Sequence, residues 1–97
     1  MATPLSPTEI EQKLTQLPAW ALNKNRIERT FTFENFLGSI AFVNQLVEPA
    51  ETAGHHPDLC ISWNKVTVSL TTHDAGGLTP LDFDLAEKIN QIYSSPQ

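Results

Sequence analysis

The chain has 97 residues, enough for one small domain with one modest core, since 40% of them are hydrophobic. Six basic against eleven acidic residues give a net charge of −5 with no basic cluster, which argues against direct nucleic-acid binding. No apolar run reaches bilayer length, the opening MATPLSPTEI lacks a charged region followed by an apolar one, and Cys60 is the single cysteine. A soluble cytoplasmic protein, with no membrane association and no disulfide framework, is the expectation.

The first element is a helix. Ser6 can cap it, Pro7 suits the first turn, and Glu9 can reach back to complete a capping box. Ile10, Leu14 and Leu17 share a face, and Pro18 sets the end near residue 17. Two short strands follow. Residues 19–22 lead into the turn Asn23-Lys24-Asn25, and residues 26–33 alternate, with Ile27, Phe31 and Phe33 facing one way. Arg29 interrupts that apolar row, which predicts an edge or an interface for this strand.

Residues 34–53 have helical periodicity, with Phe36, Ile40, Val43, Val47 and Ala50 on one face and Leu37 and Leu46 beside it. Pro49 predicts a kink there, not a stop, because the apolar pattern crosses it. Gly54 suits the helix end. Leu59, Ile61 and Trp63 then alternate with Cys60 and Ser62, and Val66, Val68 and Leu70 alternate with Thr67, Ser69 and Thr71. Joined at Asn64-Lys65, they read as a β-hairpin with one buried face. After Gly76-Gly77, Thr79-Pro80-Leu81-Asp82 repeats the capping pattern. Leu81, Leu85, Ile89 and Ile92 line a last helix ending near Tyr93. The order α-β-β-α-β-β-α predicts an α+β domain, a four-stranded antiparallel sheet with the three helices on one face. Its open edges, and the small core, favour a homo-oligomer joined through an edge strand or the last helix.

The chemistry concentrates in one stretch. All three histidines, His55, His56 and His73, fall within residues 55–73. Histidine serves as acid and as base near neutrality. Taken singly, His55 after Gly54 could be a helix-end residue, His73 a turn residue, and Asp82 the acidic half of a capping box with Thr79. Taken together, the helix end and the hairpin end can meet at one end of the sheet, and the glycine-rich loop returns Asp82 to the same place. Three histidines can also hold zinc. However, adjacent imidazoles diverge on most backbones and the i, i+4 pair of HExxH sites is missing, so no metal is assigned. Cys60 shows no sign of activation and reads as a packed or half-exposed residue. Trp20 and Trp63 read as core residues that can wall a pocket.

The pattern Glu51-x-x-x-His55-His56-Pro57, then Trp63, then Thr71-Thr72-His73-Asp74-x-Gly76-Gly77-Leu78-Thr79-x-x-Asp82 resembles the pterin-4a-carbinolamine dehydratase family. The likeness spans nearly the whole chain, so residues 1–97 are expected to form a single domain of that kind. The resemblance implies a four-stranded antiparallel sheet with three helices on one face. It also implies removal of water from 4a-hydroxytetrahydrobiopterin to give quinonoid dihydropterin, in tetrahydrobiopterin recycling, without a cofactor. The implied catalytic residues are His55, His56, His73 and Asp82. The implied substrate-binding residues are Glu51, Pro57, Asp58, Thr71 and Thr72. On this reading His55 and His73 are the acid/base pair, their order open, while His56 and Pro57 position the pterin and Asp82 orients an imidazole. Two positions depart from the pattern. Leu59 stands where many members have an aromatic residue, which reshapes one pocket wall, and Pro49 is unusual. A homodimer or homotetramer is implied. Relatives that serve as a dimerisation cofactor or an assembly helper make an interaction module, with an unknown protein partner, the alternative. The intact histidine set favours the enzyme.

Overall fold

The computed structural model describes residues 3–94. The first two residues of the opening segment and the last three of the 1–97 domain lie outside the described residues. The order is α1 (Pro7–Leu14), β1 (Ala21–Asn23), β2 (Arg26–Thr32), α2 (Phe36–Ala53), β3 (Asp58–Ser62), β4 (Lys65–Leu70), a short 3₁₀ turn (His73–Ala75) and α3 (Pro80–Ser94). The strands form one antiparallel sheet in the order β1-β2-β4-β3. This is the α+β architecture read from the sequence, with the 3₁₀ turn added. Among the described residues no helix is long and apolar enough to cross a membrane.

The Ser6–Glu9 capping box forms as read, with the Ser6 hydroxyl accepting from the Glu9 amide and the Glu9 carboxylate accepting from the Ser6 amide. The helix stops at Leu14, not near residue 17. Thr15 caps it, and the amides of Gln16 and Leu17 donate three residues back, which tightens the chain into turns before Pro18. Leu17 still reaches the core.

Ile27, Phe31, Val66, Val68 and Leu70 are buried on the helix side of the sheet, in one cluster with Phe42, Leu46, Leu85, Ala86 and Ile89. Phe42 anchors α2. Its ring lies 4.8 Å from Phe31, 5.1 Å from Phe33 and 6.0 Å from Tyr93. Removing such a ring from a core typically costs about 3–5 kcal/mol. The helix therefore turns Ser39, Phe42, Leu46 and Ala50 inward, while Phe36, Leu37 and Val47 are exposed. That corrects the face read from periodicity. The segment carries more apolar residues than one face needs, and the aromatic cluster selects the register. α2 runs through Pro49 without a break and ends at Gly54, whose φ of 61° is the left-handed cap conformation.

Three further readings change. Arg29 does not mark an edge, because β2 lies inside the sheet. Its guanidinium stacks on Phe31 and Tyr93 and donates to the Asn90 Oδ1 atom at 2.7 Å, so the arginine extends the aromatic cluster. In the second hairpin Ser62 pairs with Lys65, so the turn is Trp63-Asn64, one residue earlier than read. Trp63 has a φ of 51° and is 68% exposed. The Ser39 hydroxyl donates to its carbonyl and Phe33 exchanges hydrogen bonds with Asn64, which fixes this unfavourable conformation. Finally, β3 is an edge strand. Leu59 and Ile61 face the helix side but stay 38% and 39% exposed, so only β4 supplies a fully buried row. On α3, Leu81 is exposed, while Phe83 and Ala86 join Leu85 and Ile89 in the core.

The capping box gives a pH-dependent prediction. The Ser6 amide, and then its hydroxyl, hold the Glu9 carboxyl below its ordinary value of 4.5. A depressed folded-state pKa contributes stability that is complete above the unfolded value and lost as pH falls through the folded one. NMR titration of Glu9 should give a midpoint below 4.5, with α1 loosening as pH falls through it. A midpoint at or above the ordinary value would show that the box does not hold in solution.

Candidate active site

Three backbone devices bring the histidine motif to one end of the sheet. The first is the end of α2. The Gly54 amide donates to the carbonyls of Ala50 and Glu51, and the His55 amide donates to Ala50. This closing pattern needs the left-handed glycine, and it sends His55 away from the helix axis towards α3. The second is the loop after β4. Thr72 and Gly77 exchange amide–carbonyl hydrogen bonds, at 3.3 and 3.4 Å, and close a loop that carries His73. Gly76, at φ 74°, ends the 3₁₀ turn within it. The third is the start of α3, where the Asp82 carboxylate accepts from the Thr79 amide at 3.0 Å.

These devices converge on a buried polar centre. Asp82 is fully buried and its Oδ1 atom lies 2.5 Å from His55 Nε2. The other oxygen, Oδ2, accepts from the Thr72 hydroxyl at 2.8 Å as well as from the Thr79 amide. The Thr72 and Thr79 hydroxyls are 2.8 Å apart. His55 is 9% exposed, so it keeps a small opening to the surface. The capping box with Thr79 is only half formed, because the Thr79 hydroxyl turns to Thr72 and the Asp82 amide donates to the Thr79 carbonyl.

The other residues of the motif sit around this centre. His56 is exposed and its Nε2 pairs with the Glu51 carboxylate. With Pro57, Leu59, Val47 and Ala50 they border an apolar cavity of about 190 Å³ between α2 and β3. His73 is exposed and borders a separate cavity of about 350 Å³ with Thr71, Thr72, Gly76, Gly77, Lys24 and Arg26. Thr71 donates to the Asn25 carbonyl at 2.7 Å, and Asp58 forms an ion pair with Arg26. The structure thus joins His55 to Asp82 and Thr72, and His56 to Glu51. His73, on its loop, makes no hydrogen bond or ion pair with either of them. Among the described residues no group of three or more His, Cys, Asp or Glu side chains is arranged to hold a metal ion.

Three residues here carry no functional signal in the sequence alone. Arg26 and Lys24 enter through the pairing of β2 with β4, which places Arg26 next to the end of β4. No local motif announces that. Thr79 was read only as a cap, and its buried hydroxyl is the signal that it does more.

Chemically, the centre offers one imidazole held by a buried carboxylate, and two exposed imidazoles that each border a separate hollow. Imidazoles so placed can give and take protons near neutrality.

Known proteins place the chain in a family. The family model described as pterin 4 alpha carbinolamine dehydratase matches residues 3–92. A relative from Thermosynechococcus vestitus is 63% identical over 92 residues, covering 95% of this chain and 97% of its own. A second, from Picosynechococcus, is 61% identical, covering 95% of this chain and all of its own. Both are provisionally named pterin-4-alpha-carbinolamine dehydratases. A crystal structure from Brucella melitensis, described as a transcriptional coactivator/pterin dehydratase, superposes with a TM-score of 0.91 at 33% identity, covering 95% of this chain and all of that one. A pterin dehydratase-like protein, described as a RuBisCO assembly factor in the alpha-carboxysome, shares the fold. Its TM-score is 0.66 at 20% identity, over 80% of this chain and 93% of that one. The chain belongs to the pterin-4a-carbinolamine dehydratase family.

Asp82 carries a stability prediction. Asp82→Ala leaves the Thr72 hydroxyl, the Thr79 amide and the His55 ring without their acceptor. Stranding buried polar groups costs about 1–3 kcal/mol. Urea unfolding should show that loss; a variant as stable as wild type would mean that the carboxylate holds nothing in place.

Proposed function

We propose that this protein catalyses the dehydration of pterin-4a-carbinolamine to quinonoid dihydropterin. The observation that carries the reading is the buried Asp82–His55 pair with His56 and His73 at the rims beside it. The family membership supports it. In the reaction, an acid protonates the C4a hydroxyl and the C4a–O bond breaks, pushed by ring-nitrogen electrons, so the oxygen leaves as water. A base removes one proton from a ring nitrogen. The net change is loss of one water, and it needs no redox partner.

His55 and His73 are the acid/base pair on this reading, with their order open. Asp82 fixes the His55 ring. His56, held by Glu51, and Pro57 position the pterin beside the apolar hollow. Leu59 forms a wall of that hollow, and Asp58 and Thr71 complete the substrate-binding set; the resemblance also put Thr72 there, but its buried hydroxyl is turned inward to Asp82.

The purified protein should accelerate carbinolamine dehydration, followed by ultraviolet absorbance, with or without chelator. His55→Ala and His73→Ala should each lower kcat by roughly 10²–10⁴-fold, the usual worth of a general acid or base. His56→Ala should mainly raise KM, because a positioning contact acts on ground and transition states alike. A folded protein with no activity above buffer would overturn the enzyme. His56→Ala abolishing kcat, with His73→Ala near wild type, would overturn the division of roles.

Self-association is part of the proposal. Phe36, Leu37 and Val47 on α2, Leu59 and Ile61 on β3, and Trp63 at the hairpin tip are all exposed, whereas α3 exposes only Leu81 among its large apolar residues. An apolar surface of this kind supports burial against another chain. It favours the β3 edge, with α2, over the last helix as the route to a homodimer or homotetramer. The same surface suits a protein partner, which is the observation behind a second reading, an interaction module. Light scattering should give a multiple of the 10.8 kDa chain mass; a monomer at micromolar concentration would contradict the self-association.

A further inference from the structure

We propose that Thr79 and Thr72 are positioning residues, forming a buried hydroxyl relay that locks the tautomer of His55 and makes Nδ1 its working atom. The proposal rests on the dehydratase reading for its consequence in catalysis, but not for its geometry.

The direction of each bond follows from counting hydrogens. A hydroxyl has one proton to donate. The Thr72 hydroxyl gives its proton to Asp82 Oδ2. It has none left for Thr79, so the 2.8 Å contact between the two hydroxyls is donated by Thr79. The relay runs from Thr79 to Thr72 to Asp82. The second donor to Oδ2 is the Thr79 amide, just before α3, and Asp82 itself lies in the first turn, where a helix favours negative charge. Asp82 therefore meets Thr72 and Thr79 as an acceptor, which suits a carboxylate.

A carboxylate accepts and does not donate. Its remaining oxygen, Oδ1, faces His55 Nε2 at 2.5 Å, so the neutral ring carries its proton on Nε2. The lone pair is left on Nδ1. Whichever way the proton moves in catalysis, it moves at Nδ1, while Nε2 stays bound to Asp82.

Burial excludes the competing role for the two threonines. Thr72 is 7% exposed and Thr79 1% exposed. The Thr72 hydroxyl is committed inward, so it acts on the site through Asp82 and not as a substrate contact. Thr72 also closes the His73 loop through its backbone, by the pair of bonds to Gly77. One residue thus ties the His55 centre to the loop that carries His73.

The test uses the full chain with ¹⁵N-labelled histidine. In the wild type, the neutral His55 ring should show a protonated Nε2 and an unprotonated Nδ1. Thr72→Val removes the donor to Asp82 and keeps the side-chain shape. It should shift both ring nitrogens towards averaged values and lower kcat by about tenfold, the rate equivalent of one hydrogen bond to a charged group, with little change in KM. Thr79→Val, which keeps the backbone amide on Asp82, should move both readouts in the same direction by less. Thr72→Ser and Thr79→Ser should restore both. A residue that only stabilised the fold would change the unfolding midpoint and leave the ring shifts alone. A neutral wild-type ring protonated on Nδ1, or valine variants with unchanged ring shifts, would overturn the relay. If the wild type shows no dehydration, the dehydratase reading fails, and the ring shifts still decide whether the relay exists.

Discussion

One buried carboxylate organises the end of the sheet where the histidines lie. Asp82 has no exposed surface, and it bonds to three separate parts of the chain: His55 beyond the end of α2, Thr72 beyond β4, and Thr79 just before its own helix. A buried charge is tolerated only when its acceptor positions are filled. The requirement works in both directions. The three segments must come together to satisfy Asp82, and once together they fix His55 in one orientation. Capping of α3 and orientation of the imidazole are thus a single constraint.

The backbone around this centre is specified by a few residues with special conformations. Gly54 turns the chain out of α2 in the left-handed region, and His55 follows directly. Gly76 does the same at the end of the 3₁₀ turn after His73. The aromatic cluster of Phe31, Phe33, Phe42 and Tyr93 sets the rotation of α2 and anchors α3 from the far side of the domain. Rigid elements packed in this way hold a site more accurately than loops alone. His56, paired with Glu51, and His73, on its loop, lie exposed outside that packed frame.

Much of this was legible in the sequence, because the signals were local. The Ser6–Glu9 box, the Gly54 cap and the alternation in β2 and β4 each rest on neighbours a few residues apart, and they place the elements in the right order. The convergence of His55 with Asp82 was also readable, from the helix end at Gly54 and the glycine-rich loop, whereas the capping pattern at Thr79 by itself pointed to a purely structural Asp82. What failed needed tertiary information. The inward face of α2 was misassigned because its surplus apolar residues fit more than one register, and Phe42 decides between them only in the folded core. The turn at Trp63-Asn64 was shifted by one residue because a tryptophan in the left-handed region is unfavourable unless distant groups, here Ser39 and Phe33, hold it. Arg29 looked like an interruption because its stacking partner Tyr93 and its acceptor Asn90 come from the last helix. The pairing of Arg26 with Asp58 across the sheet was invisible for the same reason.

The central claim is that the Asp82 centre and the histidine rims beside it form the pterin site. The most direct measurement is an NMR titration with a stable reduced pterin, following amide and imidazole shifts along the chain. The largest changes should fall on His55, His56, His73 and the loop closed by Thr72 and Gly77. Changes centred instead on the cleft between α1 and α3, lined by Glu9, Lys13 and Phe83, or on the outer face of α2, with the histidines unmoved, would contradict it.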